Sequence, residues 1–199
     1  MSFFDPQVPE QHDLALKSWY AAKPEAIEPG PTVDSIVLAQ HFRNFSLWNL
    51  EDEARRRNVT DQYIAEIKRA IDKTNQSRND LVERIDQALL TQFDGINLAQ
   101  AEQHSETAGM MIDRLSILSL KIWHMNLNAT TLKDPALAAE CAQKVTVLKT
   151  QRQDLYACLE RLLEQFQNGQ RFFKSYKQFK QYNDPRLNPA LRAEAESGQ

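Results

Sequence analysis

Only five glycines occur in 199 residues, and strand-like alternation of apolar and polar side chains is scarce. A chain with so few flexible positions is committed to helix nearly throughout. The clearest stretch follows Asp134-Pro135, where Cys141, Val145, Leu148, Leu155, Leu159, Leu162 and Phe166 recur at spacings of four and three. That spacing is one face of a helix, and Arg152 alone interrupts it.

Breaks at "KPEAIEPGPT", "RRRNVTD", "FDGIN", "AEQHSE" and "NATTLKDP" divide the chain into four long helical segments. They cover about 33–57, 61–91 with Thr60 as N-cap, 106–127 behind Ser105, and 135–169 with Asp134 as N-cap and Pro135 as first helical residue. A shorter helical segment with "FFKSYKQF" precedes "NDPRLNP", which is turn-like. Each long helix must bury a stripe against its neighbours, so the expected fold is all-α: a single domain over 1–199, built as a bundle of four long helices. Residues 1–31 are expected as an N-terminal extension and 184–199 as an irregular tail.

Charged residues make up 26% and apolar ones 42%, the balance of a globular chain rather than a disordered one. A formal charge of -3 gives no global attraction to nucleic acid or to an anionic membrane, and nucleic acid is not an expected partner. The two cysteines, Cys141 and Cys158, fall in one helical segment too far apart to bridge, as reduced core thiols would. The start "MSFFDPQVPEQHD" has acids and prolines where a signal peptide has a basic segment and an apolar run. The most apolar stretch, "MMIDRLSILSLKIWHM", is broken by Asp113, Arg114, Lys121 and His124, so no membrane span is expected. A cytoplasmic protein follows from these features, as a monomer or a homo-oligomer.

Polar residues occupy positions where such helices usually place leucine. In the first segment, steps of three, four, three and four align His41, Asn44, Trp48, Glu51 and Arg55 on a single stripe. In the second, Ile64, Ile67, Ile71, Val82, Ile85 and Leu89 define an apolar face. Beside it run Lys68, Asp72, Asn75, Asn79, Glu83 and Asp86, while Arg78 falls within the apolar face itself. A solvated flank with local ion pairs accounts for that stripe as well as a binding wall does, but Arg78 needs a carboxylate or an anionic ligand. The third segment is apolar on nearly every side, as a central helix would be, yet Glu106, Asp113 and His124 share a narrow sector. Ser116 lies close by, with Arg114 and Lys121 to one side. One such residue is ordinarily a satisfied core group; several ionisable groups in one sector mark a candidate site.

The stretches "NFSLWNLEDEAR", "KRAIDKTNQSRNDLVERID", "SETAGMMIDRLSILSLKIWHM" and "YKQFKQYNDPRLNP" together resemble the bacterial domain of unknown function number forty-two fifty-four, over about 35–189. Asn49 follows Trp48 where many members carry histidine. The resemblance implies a setting beside glycosyltransferases of lipopolysaccharide or other surface-glycan assembly, and implies no particular chemistry.

Three functions are compatible with these residues. In the first, an anionic small molecule, a phosphorylated or nucleotide-linked sugar, binds inside the bundle. Arg55, Arg78 and Arg114 hold its anionic part, and Asp113, His124 and Glu106 are the candidate catalytic groups, with no cofactor needed. His41, Asn44, Trp48, Glu51, Lys68, Asp72, Asn75, Asn79, Ser116 and Lys121 complete the candidate binding set. In the second, Glu51, Asp52, Glu83 and Asp86 gather Mg²⁺ from two helices, as in helical nucleotide pyrophosphohydrolases; "ERID" resembles their second carboxylate pair, but Ala54 stands where the first pair needs an acid. In the third, the chain is a non-catalytic partner of a glycosyltransferase, presenting the aromatic and basic "RFFKSYKQFKQY".

Overall fold

The computed structural model describes residues 3, 4, 6–177 and 184–197. Among them the helices are α1 (Val8–Ala22), α2 (Val33–Glu53), α3 (Asp61–Gln92), α4 (Ala108–Thr131), α5 (Pro135–Gln167) and α6 (Pro189–Ser197). Two very short strands, β1 (Glu102–Gln103) and β2 (Arg171–Phe172), pair in parallel. The fold is the expected all-α bundle. No helix among the described residues is long and apolar enough to cross a membrane.

Local chemistry sets the helix starts. Thr32, Thr60 and Thr107 each accept a bond from the backbone N–H three residues on, and Asp134 accepts from Ala136 and Leu137 ahead of Pro135. Helices α2 and α3 pack side by side, as do α4 and α5, and α4 also touches α1, α2 and α3. The main core joins Val37, Ile85, Ile112, Leu115, Leu159 and Leu163, all fully buried. A second cluster of Leu16, Trp19, Phe42, Phe45 and Leu120 lies under α1. Helix α2 is enclosed by α1, α3 and α4, which is why its burial runs through the consecutive residues Ala39, Gln40, His41 and Phe42 instead of following one stripe.

Four sequence expectations change. The supposed extension 1–31 contains α1, whose Val8, Leu16 and Trp19 belong to the core. The segment "FFKSYKQF" begins as strand, because Glu102 and Gln103 pair with Arg171 and Phe172 and so override the local helical pattern. Phe173 is buried and Tyr176 exposed, while Phe179, Lys180 and Tyr182 of that segment lie outside the described residues. The tail carries a solvent-exposed α6 after its turn. Cys141 is a core thiol, but Cys158 is exposed.

Candidate functional site

The polar stripe of α2 and the first half of the α3 stripe face each other. Between them, floored by Ile71, Ile117 and Leu120, lies a cavity of about 550 Å³, within the range of small-molecule sites. From α2 come Asn44, Trp48, Glu51 and Asp52, and from the turn just past its end, where the expected helix to residue 57 has already stopped, Arg55; from α3 come Lys68, Asp72, Asn75 and Arg78. Arg55 pairs with Glu51 at 2.8 Å across the end of α2, and Lys68 with Asp72 at 2.6 Å within α3, both exposed contacts. Arg78 is less well supplied. Its ion pair with Asp113 spans 3.8 Å from Nε, its Nε is buried without a hydrogen bond among the described residues, and its Nη2 donates to the side chain of Asn79 at 3.1 Å.

Asp113 adjoins the cavity through Asn44. Its Oδ1 accepts from Gln40 at 2.5 Å and from Asn44 at 2.8 Å. Burial raises its pKa, against the opposing pull of Arg78 and the Asn44 bond. Asn44 also donates to Ser116 Oγ at 2.9 Å, and Ser116 bonds His41 Nδ1 at 2.6 Å. His41 stacks on His12 with ring centroids 4.1 Å apart. A continuous polar layer thus runs from the cavity wall into the centre of the bundle.

The family model described as "Protein of unknown function (DUF4254)" matches residues 34–175. The chain belongs to this family. No curated protein and no solved structure matches the chain. The DUF4254 segment holds every residue that lines the cavity, whereas α1, which supplies His12 and caps the polar layer, precedes it.

Within this DUF4254 chain the remaining predicted residues go elsewhere. Asp113 and His124 share an angle on α4 but stand eleven residues apart, about 16 Å along the axis. They cannot act on one proton. His124 bonds the Tyr20 hydroxyl at 2.5 Å and stacks on Trp48 at 4.4 Å. Burial lowers its pKa against the pull of Asp52, and burial with Asp52 pushes Tyr20 up to about 12. Arg114 turns to the opposite side of α4, where Glu106 takes two bonds from it at 2.8 and 2.9 Å. Glu106, Arg114 and Lys121 line a different cleft, against α5. His41 and Ser116 are fully buried in the polar layer and do not reach the cavity surface.

The proposed metal quartet does not assemble. Asp86 accepts from the Gly109 N–H at 2.7 Å, and burial raises its pKa to about 6. Glu51 and Asp52 lie at the cavity instead. Among the described residues no group of three or more His, Cys, Asp or Glu is placed to hold a metal ion.

Sequence reasoning missed Tyr20, His12 and Gln40. Gln40 precedes the recognised stripe by one position and points to Asp113 only because α2 is enclosed on several sides. A signal for α1 was present in Val8, Leu16, Trp19 and Tyr20, whose steps of eight, three and one keep to one helix face.

Proposed function

We propose that the cavity between α2, α3 and α4 binds a small polyhydroxylated anion, a sugar phosphate or the sugar-phosphate part of a nucleotide sugar, of the kind used in surface-glycan synthesis. The state of Arg78 carries the assignment: a guanidinium at the cavity wall, 23% exposed, whose ion pair with Asp113 is long at 3.8 Å and whose buried Nε makes no hydrogen bond among the described residues. A phosphate oxygen at that position supplies the charge-assisted bonds it lacks. Around it, Glu51, Asp52 and Asp72 accept from sugar hydroxyls, Asn44 and Asn75 can donate or accept, and the Trp48 indole packs against the C–H face of a sugar ring. The Arg55–Glu51 and Lys68–Asp72 pairs are exposed and worth a few tenths of a kcal/mol each. Both cations can therefore turn to a ligand at small cost. Binding, rather than turnover by the Asp113–His124 couple, is what this arrangement supports.

Isothermal titration with glucose 1-phosphate, glucose 6-phosphate and UDP-glucose, against glucose and inorganic phosphate alone, tests the assignment. The sugar phosphates should bind more tightly than either component. Arg78→Gln should weaken the best of them at least tenfold, the loss of a bond to a charged group, with the helical circular dichroism unchanged. Equal affinity in the variant, or no heat with any of these compounds, rejects the proposal.

A further inference from the structure

Resting on the sugar-phosphate assignment of the cavity, we infer that the ligand is amphiphilic: its alkyl tail lies in a second, apolar groove on the other side of Trp48. That groove, about 470 Å³, runs between α4 and α5 and is walled by Trp48, Met125, Val147 and Leu148, with Lys121 and Lys144 at its margin. Trp48 is the wall common to the groove and the polar cavity. Its indole is fixed in place, stacked on His124 at 4.4 Å and 11°, while His124 is held by the Tyr20 hydroxyl at 2.5 Å.

The two hollows differ in the chemistry they offer. On the cavity side the walls carry three cations and three carboxylates, suited to a phosphate and its sugar. Beyond Trp48 a thioether, two branched aliphatic side chains and the indole itself form most of the open surface, with His124, Asn128, Gln151 and the two lysines around them. Val147 is 57% exposed, an apolar side chain open to water at the groove wall. A sugar phosphate alone leaves this groove in water. A sugar phosphate with a linear alkyl chain fills both hollows at once, its chain crossing the edge of Trp48. Lys121 and Lys144, the latter paired with Glu140 at 2.5 Å, stand at the margin, and a neutral tail fits against the apolar walls between them.

The test is titration with glucose 6-phosphate and with its butyl, hexyl and octyl glycosides, each kept below micelle formation. Affinity should rise about fourfold for each methylene fully buried in the groove. Val147→Asp, a change at an exposed position of α5, should remove that dependence on chain length and leave the affinity for glucose 6-phosphate unchanged. If glucose 6-phosphate binds and chain length has no effect, the tail site is wrong and the cavity assignment stands. If no compound binds, both fail. Sedimentation showing a dimer that Val147→Asp converts to monomer, with no chain-length effect, assigns the groove to a second copy of the chain and overturns the inference.

Discussion

His12 is the residue least at ease in this interior. Both of its ring nitrogens are buried without hydrogen-bond partners, and it is fully enclosed. Burial, with His41 and Arg152 nearby, holds its pKa well below 6.5; burial holds His41 at about 3, with the His12 backbone opposing and Arg152 assisting. A neutral buried imidazole with a bare N–H forfeits about 1–3 kcal/mol. His12→Leu, close in volume, should therefore raise the thermal midpoint at pH 7 by a few degrees; a fall of several degrees shows that the imidazole is needed. The pH dependence follows from the same burial. For a depressed histidine the unfolded chain binds the proton first, so stability present above pH 6.5 is lost as pH falls through the folded pKa, down to about 3 for His41 and in the same direction for His12, by up to about 1.4 kcal/mol per pH unit for each. Asp86 and Asp113, with raised pKa values, oppose this: their contribution is greatest below the unfolded carboxylate pKa and is lost as pH rises through the folded value. Urea midpoints from pH 7.5 to 4.5 should therefore fall more steeply with acidification in the native chain than in His12→Leu. Parallel curves would mean that His12 does not stay neutral in the fold.

At the scale of elements, the helices that line the cavity were legible because periodicity fixes angle. Asn44, Trp48 and Glu51 occupy one α2 stripe, continued by Arg55 just past its end, and Lys68, Asp72 and Asn75 one α3 stripe, and the two converge as their phases require. Periodicity says much less about which residues on different helices stand level, or whether an ion pair forms within one helix. That is why Asp113 and His124 shared a sector and not a site, and why Arg114 turned to Glu106. Helix α1 was harder to read: its apolar signal is short, two of its buried positions are Gln11 and His12, which read as solvent-facing, and prolines stand at both of its ends. It nonetheless belongs to the fold: Leu16→Ala should cost about 2–5 kcal/mol, seen as a lowered urea midpoint, although the position precedes the family match. The approach of α3 to α4 is equally exacting. A Cβ on Gly109 would sit 2.6 Å from the Val82 carbonyl oxygen and 2.8 Å from Asp86 Oδ1. Gly109→Ala should thus force the helices apart and cost about 1–3 kcal/mol, whereas a neutral result would show that the contact is looser.

Across the whole molecule, the residues that break the apolar pattern are the ones that connect helices. Arg152, the single interruption of the α5 seam, donates to Asp13 of α1 at 2.6 and 3.0 Å and to Ser119 of α4 at 3.0 Å. From there, the stacked His12 and His41, then Ser116, Asn44 and Asp113, carry polar contacts through the bundle to Arg78 at the cavity. Apolar packing would hold these helices together in many rotations and shifts; two sets of directional bonds, Arg152 with Asp13 and Ser119 and His41 through Ser116 and Asn44 to Asp113, joined by the stack of His12 on His41 and ended by the ion pair to Arg78, select one alignment, and with it the facing of the two cavity walls. If the layer acts as a unit, its ends are energetically coupled. Asn44 and His12 do not bond each other, and distant independent changes add to within about 0.3–0.5 kcal/mol. In a double-mutant cycle on unfolding free energy, Asn44→Ala and His12→Leu should instead depart from additivity by more than about 0.5 kcal/mol, because both release His41 and Ser116 to rearrange. The same cycle with Cys158→Ser, on the exposed side of α5, should be additive. Additivity in both would reduce the layer to separate contacts and leave the alignment of the cavity walls to apolar packing alone.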